Sequence, residues 1–254
     1  MTKTRGAGQP LIAEDLTVAD LRRALAAGWR DFCAHPVYSL FFGAIYTVSG
    51  LSMTYLGLFR GEVGWLVPVT AGFPLVAPFA AVGLYEISRR REAGLPLSWG
   101  AVLGALRGHG DQQLLMMGGF VFVAFSFWVI IAHVIFAVFM AESGMGSESL
   151  AAMATPVGIA MLGVGTMVGA VLSWFFYCIT VISLPMLVDR DVDFITAIIT
   201  SMKTVLRNTG VMLAWAVTIV VLLVLAILPA FLGLLVVLPV LGHATWHLYR
   251  RAVS

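Results

Sequence analysis

The stretch that most constrains this chain runs from Pro74 to Arg91 and reads PLVAPFAAVGLYEISRRR. A long apolar run ends in a tyrosine and a glutamate, and three consecutive arginines follow almost at once. Basic residues concentrate on the cytoplasmic side of membrane-spanning helices. The stretch therefore predicts a helix that leaves the bilayer on its cytoplasmic side, and it sets the direction in which the rest of the chain is threaded.

The composition places the whole chain in the membrane class. Of the 254 residues, 60% are hydrophobic and only 11% are charged, and the mean hydropathy is +0.97. Soluble domains are about 45–50% apolar and about 25% charged. The net charge is only +2, and no pattern of basic and aromatic residues indicates a nucleic-acid groove. We therefore expect no nucleic-acid partner.

The apolar runs predict an all-α membrane protein, a bundle of six transmembrane helices. The predicted spans are residues 37–58, 63–87, 114–140, 156–187, 211–228 and 231–249. With six spans and a cytoplasmic N-terminus, fourteen of the fifteen basic residues face the cytoplasm and only Arg60 does not. The positive-inside rule therefore predicts a multi-pass membrane protein whose termini are both cytoplasmic.

The predicted domain organisation is simple. Residues 1–16 are interpreted as a disordered tail and residues 17–254 as a single six-span membrane domain. Short amphipathic helices are expected to lie on the membrane surface, beginning at Thr17, at Ser98 and after Asp193.

These amphipathic helices also suggest a threefold repeat, in which each one precedes a pair of spans. The short windows align Ala24, Gly28 and Arg30 with Ala101, Ala105 and Arg107, and with Ala197, Ser201 and Lys203. At the following membrane entry, His35 matches Gln112 and Asn208. Chance similarity among helices of small and apolar residues is the alternative explanation.

A few ionisable residues are expected at the inner ends of the spans, where they are candidates for a functional site. His243 and His247 are four residues apart and share a helix face, while Glu86, His35 and His109 are expected at the same level. They predict an interhelical polar network, in which Glu86 pairs with an arginine or with His243. A haem or metal site at His243 and His247 is the weaker alternative, because a pair of histidines without a third ligand is a poor metal signal.

Two further features lie within the spans. His133 is deep in the third span, where a polar group is costly and therefore a functional candidate, although a hydrogen-bonded packing role is the simpler interpretation. Gly165, Gly169 and Ser173 form a small-residue stripe that predicts close helix packing in the fourth span. No residue pattern indicates a catalytic site, and no metal or cofactor is predicted.

Three separated runs resemble one known family. GWRDFCAHP (Gly28 to Pro36), GLYEISRRRE (Gly83 to Glu92) and LGHATWHLYRR (Leu241 to Arg251) are similar to those of a bacterial integral membrane family catalogued as domain of unknown function 2189. The resemblance implies a multi-span inner-membrane protein without an agreed activity. Some members carry labels that mention cytochrome oxidase subunit I, which implies at most a respiratory association.

The first functional hypothesis is a non-enzymatic accessory, assembly or structural subunit of a larger respiratory or photosynthetic complex. Its expected partners are the lipid bilayer and other integral membrane proteins. The alternative is a transporter or channel for a small solute, motivated by the proline-interrupted second span and by the suggested repeat. A haem- or metal-binding membrane protein is the second alternative.

Overall fold

A computed structural model of the protein describes residues 10–55, 81–105, 112–141 and 155–254. Across these residues the chain is 84% helical and has no strand. Most of the second predicted span, together with Arg60, Arg107 and His109, lies outside the described residues.

The helices follow the apolar and amphipathic segments of the sequence. In chain order they are α1 (Val18–Ala34), α2 (Pro36–Thr54), α3 (residues 81–92), α4 (Trp99–Gly104), α5 (Gln113–Ala141), α6 (Pro156–Thr180), α7 (Ser183–Asp189), α8 (Phe194–Arg207), α9 (Thr209–Ile227) and α10 (Leu234–Ala252).

Three segments of the described chain are long and apolar enough to cross a membrane. They are Gln113–Phe139, Pro156–Asp189 and Thr209–Ile227, and they coincide with the third, fourth and fifth predicted spans. The helices α2 and α10 occupy the positions of the first and sixth predicted spans and are not among these three. The count of six spans and the orientation of the termini stay predictions.

The C-terminal helix α10 is the centre of the fold, and α1 packs closely along it. A Cβ atom on Gly28 would lie 2.6 Å from the carbonyl oxygen of Val240 and 2.7 Å from the nitrogen of Ala244. Only glycine permits this approach of the two backbones. The contact aligns the polar end of α1 with the polar end of α10.

Residues 10–16, which the sequence assigns to the tail, lie against the C-terminus. The nitrogen of Leu11 donates to the carbonyl oxygen of Ser254 at 3.1 Å, and that of Ala13 donates to Ala252 at 2.9 Å. Leu16 is buried. This segment therefore belongs to the packed part of the molecule, and residues 1–9 lie outside the described residues.

The helix α1 begins as its sequence predicts. Thr17 is the N-cap, and Thr17 and Asp20 form a reciprocal capping box. Its buried side is made of small and polar residues as well as apolar ones, whereas Val18 and Trp29 are about half exposed. An outward apolar side is what a helix in contact with lipid requires.

The helix α8 repeats this arrangement. Ala197, Thr200, Ser201 and Thr204 are buried, while Ile199 and other large apolar residues point outward. Two windows of the suggested repeat thus bury matching positions, and His35, Gln112 and Asn208 each directly precede the next long helix. The repeat itself stays a prediction.

The fourth predicted span is interrupted between α6 and α7. Ser201 of α8 bridges the break: its hydroxyl donates to the carbonyl oxygen of Cys178 at 2.7 Å and accepts from the nitrogen of Ile182 at 3.2 Å. Backbone groups freed inside a membrane protein need such partners. The break therefore depends on α8 being in place.

Candidate functional site

Three segments that are far apart in the sequence meet at the polar end of α10. The end of α1 contributes Asp31, α3 contributes Ser88 and Arg91, and α10 contributes His243 and His247. These residues, together with Ser39 of α2, are called the polar cluster below. It lies at the junction of α1, α2, α3 and α10, so its hydrogen bonds join all four helices.

His243 is the fully buried residue at the centre of the polar cluster, with 0% of its surface exposed. Its Nε2 lies 2.9 Å from Ser39 Oγ, and its Nδ1 lies 2.8 Å from Ser88 Oγ. The single hydroxyl proton of Ser88 is donated to Asp31 Oδ2 at 2.5 Å. Nδ1 therefore donates to Ser88, and in the neutral imidazole Nε2 accepts from Ser39.

Asp31 is the charged residue of the polar cluster, and its side chain is 1% exposed. Beyond Ser88, it accepts from Nε2 of His247 at 2.9 Å and from a guanidinium nitrogen of Arg91. Burial alone would raise the pKa of Asp31, but the hydrogen bonds from His247 and Ser88 outweigh burial and lower that pKa to about 2. Asp31 is therefore a buried carboxylate that stays ionised.

Glu86 forms a separate charged group with the arginines that follow it and does not contact His243. Its carboxylate accepts from Arg89 at 2.7 Å and 2.8 Å and from Arg90 at 2.6 Å. Glu86 is 4% exposed. The three arginines therefore have different partners: Arg89 and Arg90 bind Glu86, and Arg91 binds Asp31.

A third group of polar contacts surrounds the end of α10. Asp189 accepts from the hydroxyl of Tyr249 at 2.7 Å and from Arg250 at 3.0 Å. Glu92 accepts from Nε1 of Trp246 at 3.0 Å and from Arg250 at 3.2 Å. The basic end of α10 is therefore tied both to α3 and to the end of α7.

Two other predicted histidines, His35 and His133, lie outside the polar cluster. His35 is half-buried at the N-cap of α2, where its side chain makes no capping hydrogen bond. His109 lies outside the described residues. His133 is exposed on α5, with Nδ1 2.8 Å from the carbonyl oxygen of Val129 one turn earlier. It therefore faces whatever surrounds α5.

The small residues of α6 line a groove beside α5. A Cβ atom on Gly169 would lie 3.1 Å from the ring of Trp128, whereas the same position at Gly165 is open. Ser173 is exposed. The groove has a volume of 410 Å³ and an apolar lining. Of the three small residues, only Gly169 therefore makes a close contact with α5.

The described residues offer little for a metal. Among them, no group of three or more histidine, cysteine, aspartate or glutamate side chains is arranged to hold an ion. Both ring nitrogens of His243 are engaged by serine hydroxyls, and Nε2 of His247 is engaged by Asp31. His243 would have to leave its hydrogen bonds before it could coordinate an ion.

One family comparison bears on this arrangement. Residues 66–189 match a family model described as predicted integral membrane protein (DUF2189). Over this segment, which is just under half of the chain, the protein is similar to members of that family. The comparisons with curated proteins and with solved structures found no match. Members of the DUF2189 family have no characterised activity, so the match supports membrane integration and leaves function to the site.

The DUF2189 segment contains only part of the polar cluster. Ser88 and Arg91 lie inside the matched residues, whereas Asp31, His243 and His247 lie on either side of them. The run from Gly83 to Glu92 is thus the part of the resemblance that the match covers. The chain on both sides of the DUF2189 segment folds back onto it to complete the cluster.

Sequence reasoning found the histidines of the polar cluster and missed Asp31, Ser39 and Ser88. Asp31 carried a usable signal, since it is an acidic residue on the side of α1 that also holds Ala24 and Gly28. The two serines carried none, because serine is common in membrane helices, where it usually bonds to its own backbone.

Proposed function

We propose that this protein is a non-enzymatic accessory or assembly subunit that binds a larger membrane complex, respiratory or photosynthetic. It would act in the bacterial inner membrane, with six spans and both termini in the cytoplasm. In this proposal His243 and His247 hold no haem or metal. The polar cluster has a structural role, locking α1, α2, α3 and α10 together.

The uncovered surface of α5 is the observation that carries this proposal. In the most apolar 18-residue stretch of this helix, no residue is buried by the described part of the chain. Phe127, Ile130 and Val134 are each more than half exposed. Lipid can cover such a helix, but a helix with so few contacts to its own bundle is also free to pack against another membrane protein.

The polar cluster supports a structural role because its side chains form hydrogen bonds with one another. In the polar cluster, hydrogen bonds of 2.5–2.9 Å join Asp31, Ser88, His243 and His247. Fully paired buried networks rigidify a fold and specify one arrangement of its helices. A substrate would have to displace these internal bonds to reach the same atoms.

The test is site-specific crosslinking in native membranes. A photoreactive amino acid at Phe127, which is 63% exposed, should give a discrete crosslinked product containing a second protein, identified by mass spectrometry. The matched control at Met117 of the same helix, which is fully buried, should give none. A product at neither site, with the protein recovered alone in mild detergent, would contradict the accessory role.

The topology has its own test. Reporter fusions should place the Arg89–Arg91 run in the cytoplasm and the segment after α5 on the opposite side. Fusions that report both positions in the same compartment would overturn the six-span arrangement. This experiment is independent of any partner, so the two parts of the proposal can fail separately.

The transporter alternative is favoured by one specific observation. A cavity reaches Glu86, a buried acid at the end of the second predicted span. If this cavity conducts a solute, a thiol-reactive reagent should modify Glu86→Cys from both sides of the membrane. Modification from one side only supports a closed cavity and the accessory role.

A further inference from the structure

The cavity that reaches Glu86 lies apart from the polar cluster. The cavity has a volume of 290 Å³ and lies between α3, α4 and α7. Its charged lining consists of Glu86, Arg89 and Arg90, all on α3. Two guanidinium groups share this cavity with a single carboxylate, so its described lining carries one net positive charge.

The two arginines retain donors that Glu86 does not use. Arg89 donates from Nε and Nη2 to Glu86. Arg90 donates from Nε to Glu86 and from Nη1 to the carbonyl oxygen of Pro96 at 2.9 Å. Within the described part of the chain, Nη1 of Arg89 and Nη2 of Arg90 have no hydrogen-bond partner. Glu86 thus orients both guanidinium groups and leaves one terminal nitrogen of each available as a donor to a ligand.

The opposite wall of the cavity is open because α4 presents glycines there. Gly100 and Gly104 both line the cavity, and no heavy atom of the described residues lies within 4 Å of the position that a Cβ atom would take on either of them. One helical turn separates them, so they form a single smooth strip. Ala101 and Ala105 add only methyl groups to this wall, so the described residues of α4 place no large side chain in front of the arginines.

The depth of the cavity agrees with a headgroup position. Leu187 and Val188 complete its lining, and they are the last apolar residues of the membrane-spanning segment Pro156–Asp189. A polar cavity at the end of a span lies at the level of lipid headgroups. Basic pockets between helices at this level bind phosphate groups of anionic lipids.

We propose that this cavity binds an anionic phosphate group, with Arg89 and Arg90 as the charged donors and Glu86 as the residue that positions them. Guanidinium groups match phosphate oxygens in geometry and in charge. The phosphodiester of an anionic lipid and free phosphate share this chemistry. The site does not depend on the accessory role, since it requires only the described helices and the membrane.

The experiment uses the full chain purified in a neutral detergent. Native mass spectrometry and thermal unfolding would be measured with phosphatidylglycerol, with zwitterionic phosphatidylcholine, and with inorganic phosphate. We expect phosphatidylglycerol or phosphate to be retained and to raise the unfolding temperature, with phosphatidylcholine having a smaller effect. If excess phosphate displaces phosphatidylglycerol, the site takes free phosphate as well; if it does not, the site requires the lipid.

Two variants test the location of the site. Gly104→Leu fills the cavity and leaves the Arg–Glu pairs intact, and Arg90→Gln removes one donor; each should weaken binding about tenfold or more. Gly119→Leu, at another open glycine position, and Arg22→Gln, on the exposed side of α1, are the matched controls and should bind as the wild type does. Because Gly104→Leu does not touch the buried pairs, it keeps the test valid if Arg90→Gln fails to fold.

Two results would overturn the proposal. The first is wild-type protein that retains neither phosphatidylglycerol nor phosphate. The second is binding that Gly104→Leu leaves unchanged, because the phosphate group would then be held elsewhere on the basic surface.

Discussion

Asp31→Asn is the substitution that most directly probes the polar cluster. It keeps the shape of the side chain and removes the charge that Arg91 and His247 face. Since folding lowers the pKa of Asp31 from its ordinary 3.8 to about 2, and one unit is worth about 1.4 kcal/mol, the ionised form is favoured by about 2 kcal/mol. We expect Asp31→Asn to lower the free energy of unfolding by about that amount near neutral pH.

The pH dependence gives this prediction its sign. Because the folded-state pKa is below the unfolded-state value, the contribution of Asp31 is fully present above about pH 4 and is lost as the pH falls towards 2. The difference in stability between wild type and Asp31→Asn should therefore be constant above about pH 4 and should shrink below it.

The assay is reversible unfolding in mixed micelles, followed by circular dichroism at several pH values. Asp191→Asn is the control, because Asp191 is exposed and the same change of charge there should have little effect. A difference for Asp31→Asn below about 0.5 kcal/mol would refute the argument, since surface substitutions commonly reach that size. A difference that does not shrink at low pH would show that the charge of Asp31 is not what stabilises the fold.

Three further substitutions test the packing around α10 by thermal unfolding in detergent. Gly28→Ala should destabilise the protein by about 1–3 kcal/mol, because the added Cβ atom would meet the backbone of α10. The control Gly119→Ala, at an open position, should be neutral or slightly stabilising. Equal effects of the two substitutions would refute the close approach. Ser88→Ala should cost about 1–3 kcal/mol, because it leaves a buried histidine nitrogen and carboxylate oxygen without their shared partner, and a neutral result would contradict the bridge. Trp246→Phe should cost about 1 kcal/mol through the lost hydrogen bond to Glu92, and the same substitution in a Glu92→Gln background should cost less if that bond is the cause.

The long apolar helices could be predicted closely from the sequence. The third and fifth spans were expected at residues 114–140 and 211–228, and the structure has candidate spans at Gln113–Phe139 and Thr209–Ile227. A helix that crosses lipid satisfies its backbone within itself, so its limits depend on local composition. The N-caps Thr17 and Asp193 begin their helices for an equally local reason.

The orientation of the amphipathic helices was harder to predict. In α8, Val205 is buried, whereas Ile195 and Leu206, which are also large and apolar, are more than half exposed. In a membrane protein a large apolar residue is stable facing either lipid or protein. Hydrophobic pattern alone therefore does not distinguish the two sides.

The candidate site was predicted only in part for a related reason. The spacing of His243 and His247 placed both on one side of α10, which is a local property. Their partners are distant: Ser88 is 155 residues from His243, and Asp31 is 216 residues from His247. Glu86 had two predicted partners, and it pairs with arginines three and four residues away.

The sequence by itself determined that this chain enters a membrane, where its long apolar helices begin and end, and which residues were too polar to lie at the inner ends of spans without a partner. Only the tertiary structure decided which of those residues meet. The close approach of α1 to α10 at Gly28 brings Asp31 within reach of His247, and the position of α3 separates Glu86 from His243. The physical reason is that helix formation and membrane entry depend on neighbouring residues, whereas a hydrogen bond of 2.5–2.9 Å between distant residues exists only after the backbones have packed.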